Sequence, residues 1–546
     1  MRRLKPQPKR PLLGPKVIPQ SAKVLGHPLV ALTLTSSLAL LIYLYWIVLP
    51  LPLPETYSIT RLEGIYIYLD KPYHQVRLLI SFLTLGLLYL WGWWAIRKVR
   101  GRKAKLYAWI ITLVGALGCT AALLYLYPFD AADIFDNIMH GRILAVYNGN
   151  PFVQFGSNYP GDPFYDYMAW KRSPTAYGPL WEIVAGFTAR LAGDGIVANV
   201  LAFKLLPGIF WLACVVLIAA FMLKYVPRES LPAVYLFAWN PMLLYATFGN
   251  GHNDIAMVFW ILVAIWAIQA RHHTGGVLAL LVGALVKFIP LLLVPAAVWI
   301  GVKRLFTENS GANIKAIALP AARYLALTAL LGLCLVWLVY SPFWQGTETL
   351  SIERRSSLYS SSIPAVAYHL LLPEMGKASA AQLVSRIAGV AVAIFVFCRT
   401  WRMGKDTADQ REDYDRAFAK ASFDILVFYL LVTCLWFQQW YTIWLVGIAA
   451  MLTYGRRQRL GAFISLAGLF KQLLIGPLLF KPKPILPQPE LEIRFTLGVL
   501  AMPWLYTLAA YWGPKRTTGL SYQPKASSGE VETRLDCESP AIQGHL

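Results

Sequence analysis

Charged residues are scarce in this sequence: Asp, Glu, Lys and Arg make up 14% of its 546 residues, against ~25% in an ordinary soluble chain. That supply cannot cover a water-facing surface of this size, which excludes a soluble multidomain protein. The polar composition of a disordered chain is also missing, since 57% of residues are hydrophobic and 20 are Trp, at a mean hydropathy of +0.51,. There are no successive ~10-residue alternating segments of the kind that build a membrane β-barrel. Acidic residues are fewer than basic ones, 28 against 50, for a net charge of +22. The six cysteines show no CxxC and no paired spacing, so neither disulfides nor a metal cluster are expected.

What the chain does have is long apolar runs, each near the ~20 residues that cross a bilayer as a helix. The expected fold is an all-α polytopic membrane protein with about 12–15 membrane helices, short or re-entrant ones included. Firm runs cover 28–49, 77–96, 106–127, 198–223, 232–248, 254–270, 318–343, 382–400, 418–437, 440–454, 460–480 and 493–513. Two stretches are ambiguous: 179–193 is short, and 276–302 is broken by Pro290 and Pro295. The first run ends at Pro50-Leu51-Pro52-Leu53-Pro54 without a small-residue cleavage site, so it is expected to be retained.

Lys and Arg concentrate in the N-tail, the 97–105 turn (Arg97, Lys98, Arg100, Arg102, Lys103, Lys105), the 455–459 turn and the start of the C-tail at Lys515-Arg516. If the firm runs alternate, all four share one side. The positive-inside bias makes that side cytoplasmic, with both termini on it, in a multi-pass cell-membrane protein. The opposite, extracytoplasmic face then holds 50–76, 128–178, 249–253, 344–380, 438–440 and 481–492. From Thr517 on, the sequence reads as a disordered tail,.

The 128–178 loop opens with Asp130, Asp133 and Asp136. From Ala131 to Tyr147, Ile134, Phe135, Ile138, Met139, Ile143 and Val146 share one helical face, and Asp133, Asp136, Asn137 and His140 the other,. That pattern predicts an amphipathic helix lying in the membrane interface and offering carboxylates at head-group level. Asp130 fits either a helix N-cap, with Asp133 at N3, or a functional acid, and Asp136 either a solvated group or a partner of Arg142. Tyr177-Gly178-Pro179-Leu180 reads as a turn and helix start. Gly251-His252-Asn253-Asp254 places three polar side chains in a row at a membrane boundary, which is costly unless they bind something polar. Lys287 sits in an apolar stretch, either snorkelling to the interface or countering an anionic head group. Arg354 and Arg355 break the positive-inside trend, and Gln439, Trp440 and Tyr441 close a span on the same face,.

An acidic helix after an early span, Asn150-Pro151-Phe152, Tyr177-Gly178-Pro179-Leu180, Asn240-Pro241 followed by Gly251-His252-Asn253-Asp254, and Lys287-x-x-Pro290 occur in that order. The order resembles the polytopic glycosyltransferases of the GT-C fold. It is most similar to the polyprenol-phosphate-mannose-dependent α-mannosyltransferases, including the α-(1→6)-mannosyltransferases of actinobacterial lipoglycan synthesis. The resemblance spans roughly residues 106–480. It implies a basic cytoplasmic tail (1–27), accessory helices (28–105), a catalytic membrane module (106–513) and a disordered cytoplasmic tail (514–546).

The resemblance further implies transfer of a sugar, mannose in the family, from a polyprenyl-phosphate donor to a glycan or lipid-glycan acceptor with inversion. That chemistry requires no cofactor or metal, and no nucleic acid partner is expected. Asp133, before Ile134-Phe135, best matches the family's catalytic carboxylate, with Asp130 in reserve. The substrate-binding set is Asp136, His140, Arg142, Tyr177, His252, Asn253, Asp254, Lys287, Arg354, Arg355, Gln439, Trp440 and Tyr441. Within it, Lys287, Arg142 and Arg354 or Arg355 are the candidates to face the phosphate. A transporter or flippase of a lipid-linked saccharide and another GT-C enzyme (a pentosyltransferase or ligase) are the alternatives. The absence of internal repeats speaks against the first.

Overall fold

A computed structural model of the chain describes residues 27–58, 72–308, 314–350, 358–408, 414–471 and 488–512. Among these residues there is no β-strand, and helices follow one another as α1 (Pro28–Val48), α2 (Pro72–Ile96), α3 (Arg102–Leu124), α4 (Asp133–Ala145), α5 (Pro179–Ala192), α6 (Ile196–Tyr225), α7 (Ser230–Ala238), α8 (Asp254–Gln269), α9 (His273–Ala284), α10 (Val294–Glu308), α11 (Ile314–Tyr340), α12 (Ile363–Ala408), α13 (Tyr414–Phe428), α14 (Ile443–Ala450), α15 (Arg456–Gly468) and α16 (Gln488–Trp512). Eight of the described helices are long and apolar enough to cross a membrane, and α8 and α9 are shorter apolar ones. The all-α membrane fold read from the runs is thus the fold observed.

The helices connect at two opposite ends of a bundle. At one end, Leu53 N–H donates to Tyr125 O (2.7 Å) and Tyr127 N–H to Leu51 O (2.8 Å), joining the ends of α1 and α3. At the other, Arg97 pairs with Glu229 (2.9 Å) and lies 3.5 Å over the Tyr454 ring. Nearby, the buried Asp424 accepts from Arg399, Arg457 and Tyr511. The basic turns at 97–105 and 455–459 therefore share an end, as their composition suggested, and the 128–178 segment lies at the opposite one.

The two ambiguous stretches resolve differently. Residues 273–308 form a hairpin: α9 rises, the chain breaks over 285–293, and α10 returns beside it, with Gly301 against His273 and Tyr324. α9's helical hydrogen bonds stop at Lys287 N–H to Gly283 O, and Pro290, with no backbone donor, opens the short 3-10 turn Ile289–Leu293 that follows,. The other stretch, α5, packs along α4. Gly141 and Gly186 allow this, since a Cβ at Gly141 would meet the Ala185 carbonyl at 2.6 Å and one at Gly186 would meet Leu144 at 2.9 Å. As a result most of α4 is buried: Ile134, Phe135, Asp136, Asn137, Ile138, Met139, His140, Gly141, Arg142 and Ile143 all are, while Asp133 at its start is partly exposed. The polar side of the helix, expected to offer its carboxylates at head-group level, is thus largely covered by protein. The 146–178 segment and α5 cover its polar side, and no membrane surface is needed to explain its amphipathic pattern.

The sidedness inferred from Lys and Arg can be tested by cysteine labelling with an impermeant reagent in a background lacking the native cysteines. Gly161 faces open space, whereas a side chain at Gly156 would strike Met168, so Gly161→Cys is the informative site. It should label from outside the cell and Lys103→Cys should not; the opposite pattern would invert the assignment.

Candidate active site

The site forms where four chain breaks meet at one end of the bundle. The first is the entry to α4. Its N-cap is Ala132 with no side-chain cap, and Asp133 is the first helical residue, so neither Asp130 nor Asp133 plays the capping part that the spacing suggested. Asp130 is buried: its amide donates to Asn250 Oδ1 (3.1 Å) and its carboxylate accepts from Gln439 Nε2 (2.8 Å). Asp136 is also buried, and accepts from the Trp170 (3.0 Å) and Ala169 (3.4 Å) amides, which anchors the covering loop to α4. Asp133 keeps 19% of its side chain exposed and lines the central cavity with Asp136 and His140.

The second break is the polar turn before α8. Asp254 is fully buried, and its Oδ1 accepts from Lys287 Nζ (2.7 Å) and Trp444 Nε1 (2.7 Å). His252 stacks on Trp440 with ring centroids 3.7 Å apart and places Nδ1 3.9 Å from Asp133 Oδ2. Asn253 is buried beside it.

The third break, after α9, carries Lys287. Its ammonium lies 4.6 Å from the Tyr441 ring centroid, 5.6 Å from Trp444 and 5.7 Å from Tyr177. It is a caged, paired cation with 15% of its side chain exposed, so the snorkelling alternative does not describe it. The Tyr-Gly-Pro-Leu segment explains how the break is held. Gly178 N–H donates to Val286 O (2.9 Å) and Leu180 N–H to Leu285 O (3.0 Å). A Cβ at Gly178 would meet Leu285 O at 2.1 Å, so only glycine permits the approach. Pro179 at N1 has no N–H to leave unpaired,.

The fourth break, 434–442, supplies Gln439, Trp440 and Tyr441. Lys471, buried, donates to Gln438 (2.8 Å) and to Phe437 O, which ties this segment down.

These segments enclose a cavity of about 570 Å³, lined by Asp133, Asp136, His140, Tyr177, Lys287, Trp440 and Tyr441 among others. Its volume is within the ~300–1,000 Å³ of small-ligand sites. Burial pushes the Asp133 carboxyl up to about 6, with Asp254 and Asp130 adding to the rise and Lys287 opposing it. Burial also raises Asp130 to about 6, against the Gln439 hydrogen bond and Lys471. Asp136 goes well above the usual carboxylate range for the same reason. His252 is held well below its ordinary value, first by burial and then by Lys287. The cavity thus joins a carboxylate poised near neutrality to a fixed cation, an arrangement suited to removing a proton at one point and stabilising an anion at another.

Arg142 is not brought to the cavity. It pairs with the buried Asp162 (2.8 Å) and with Asp194 (2.9 Å), and donates to Gly193 O (3.1 Å), so it neither pairs with Asp136 nor faces the cavity as a phosphate contact. Arg354 and Arg355 lie outside the described residues. Trp170, Trp436 and Trp444 also line the cavity, and the sequence reading singled out none of them. The density of aromatics between Trp436 and Trp444 was the available signal. Among the described residues no cluster of three or more His, Cys, Asp or Glu side chains is arranged to hold a metal. Removing one partner of a buried ion pair costs ~3–5 kcal/mol. Arg142→Leu should therefore lower the thermal unfolding midpoint of the detergent-solubilised protein markedly. An unchanged midpoint would release Arg142 for a role in binding.

Residues 52–303 match the family model described as the N-terminal domain of alpha-(1->6)-mannopyranosyltransferase. The match begins at residue 52, so it takes in α2 and the start of α3, which the motif order alone had left outside the resemblance. The chain is 24% identical over 381 residues to alpha-(1->6)-mannopyranosyltransferase A of Mycobacterium tuberculosis, covering 66% of this chain and 68% of that protein. To the protein of the same name from Corynebacterium glutamicum it is 24% identical over 201 residues, covering 36% of this chain and 38% of that one. No solved structure matches. The resemblance carried by the motifs is borne out: this all-α membrane protein is similar to the actinobacterial α-(1→6)-mannosyltransferases and matches their family model over residues 52–303.

Proposed function

We propose that the protein transfers mannose from a polyprenyl-phosphate donor to a hydroxyl of a glycan or lipid-glycan acceptor, with inversion, on the extracytoplasmic face of the membrane. The observation that carries this reading is the pairing, in one cavity, of the partly exposed Asp133 with the caged ammonium of Lys287. Similarity to mannosyltransferases supports the choice of sugar.

In this reading the acceptor hydroxyl gives its proton to an Asp133 carboxylate oxygen as its own oxygen attacks the anomeric carbon. The bond from that carbon to the phosphate oxygen breaks in the same displacement, and its electron pair leaves with the polyprenyl phosphate. Lys287 stabilises the charge gathering on that oxygen. Asp254 and Trp444 hold the Lys287 ammonium in place before the donor arrives, so little reorganisation is needed at the moment of transfer. His252, kept neutral and stacked on Trp440, borders the base without competing with it for charge. Asp130 serves as a buried strut between Gln439 and Asn250.

General base catalysis contributes ~10²–10⁴-fold. Asp133→Asn should therefore reduce kcat by at least ~10²-fold in transfer assays with purified protein, while a labelled donor still binds. Because the base must be ionised, kcat/KM of the parent should fall as pH drops through about 6 and level off above it. If Asp133→Asn retains turnover and the acid limb, the base lies elsewhere.

A further inference from the structure

The cavity does not end at Lys287. It continues past Phe288 and Ile289 to one face of α12, formed by Ser385, Ala388, Gly389 and Val392, with Tyr429 and Thr433 on the facing wall. The spacing of the four α12 residues puts them on one side of the helix, one above another. Space there is open: a Cβ added at Gly389 meets nothing within 4 Å. The outward flank of α12 carries Ile387, Val390, Ile394 and Phe397, each more than half exposed, as expected of a helix facing lipid. One space therefore grades from carboxylates, through a single lysine, into an apolar slot beside a lipid-facing helix. That sequence matches an amphiphile with a polar head, an anionic link and a hydrocarbon tail. A water-soluble sugar nucleotide has nothing to place in the last third.

We infer that this α12 face, with Tyr429 and Thr433, seats the first isoprene units of the donor's polyprenyl chain, and that Gly389 sets the width of the slot. The inference rests on the lipid-linked donor proposed above and adds where its chain lies. These residues are beyond the stretch matched by the family model. A second apolar crevice, of about 670 Å³, lies on the other side of Phe288 between Leu281, Leu285, Leu333 and Trp337. It is the rival location, but no charged side chain lines it and it does not include Lys287.

The test compares two donors, ethyl-phosphate mannose, which carries no isoprene unit, and decaprenyl-phosphate mannose, through the ratio of their kcat/KM values. The ratio cancels differences in the amount of folded protein. Gly389→Trp should lower the long-to-short ratio by about tenfold or more, because losing burial of only a few methylenes is worth that much. Leu333→Trp, in the rival crevice, should leave the ratio unchanged. A decaprenyl phosphate carrying a photoreactive group near its phosphate should, in the parent protein, crosslink to 385–392 or 429–433. An unaltered ratio for Gly389→Trp, or crosslinks confined to 281–285 and 333–344, would overturn the assignment while leaving mannosyl transfer intact. Absence of transfer from both donors by the parent would instead remove the function on which it rests.

Discussion

The contact on which the rest of the site depends is the ion pair between Asp254 and Lys287 at 2.7 Å. Either charge alone would be costly at this depth among apolar helices, and together they still need further partners to offset desolvation. The Trp444 indole N–H supplies one, and the rings of Tyr177, Tyr441 and Trp444 supply others through their π faces,. Asp254 also sits in the first turn of α8, where the helix dipole favours a negative charge. The pair joins the start of α8 to the break after α9, and the start of α5 is hydrogen-bonded to that same break. Two of the four breaks that shape the cavity are thereby fixed to one another and to the start of α5.

Much of this was legible in the sequence, residue by residue. Gly251-His252-Asn253-Asp254 and Lys287 each stood out because polar groups at such positions need a reason. What could not be read was that Asp254 and Lys287 answer one another, since the hairpin of α9 that brings them together depends on where a 27-residue broken run folds back. Periodicity says that 276–302 is apolar and interrupted; it does not say that the interruption lies at the site end. The burial of α4 was hidden for a related reason. An amphipathic pattern looks the same whether its polar face meets water or a covering loop, and here the loop held by Asp136 covers it. Arg142 shows the limit from the other side: its charge suggested a phosphate contact, and its two partners, Asp162 and Asp194, are too far along the chain for spacing to reveal.

The surroundings of the carboxylates also separate roles that sequence left open. Asp130, Asp133 and Asp136 are all raised by burial, so a shifted pKa does not choose among them. Access does. Asp130 is taken by Gln439 and Asp136 by two backbone amides, whereas Asp133 reaches the cavity with part of its surface free to meet an acceptor. Its carboxyl, at about 6, is basic enough to take a proton and is still largely ionised at neutral pH. The cavity that Asp133 lines leads on to the apolar slot along α12, so in the proposed reaction the placement of the base and the selection of a lipid-linked donor would share one space.

A single displacement by one carboxylate has a stereochemical signature. The most direct measurement is the anomeric configuration of the product, read by NMR after the purified protein has acted on a mannosyl polyprenyl phosphate of defined configuration. Inversion at the anomeric carbon is the expected result, with one Asp133-assisted attack and no covalent intermediate. Retention of configuration, or no mannosylated product from any polyprenyl-phosphate donor, would contradict it.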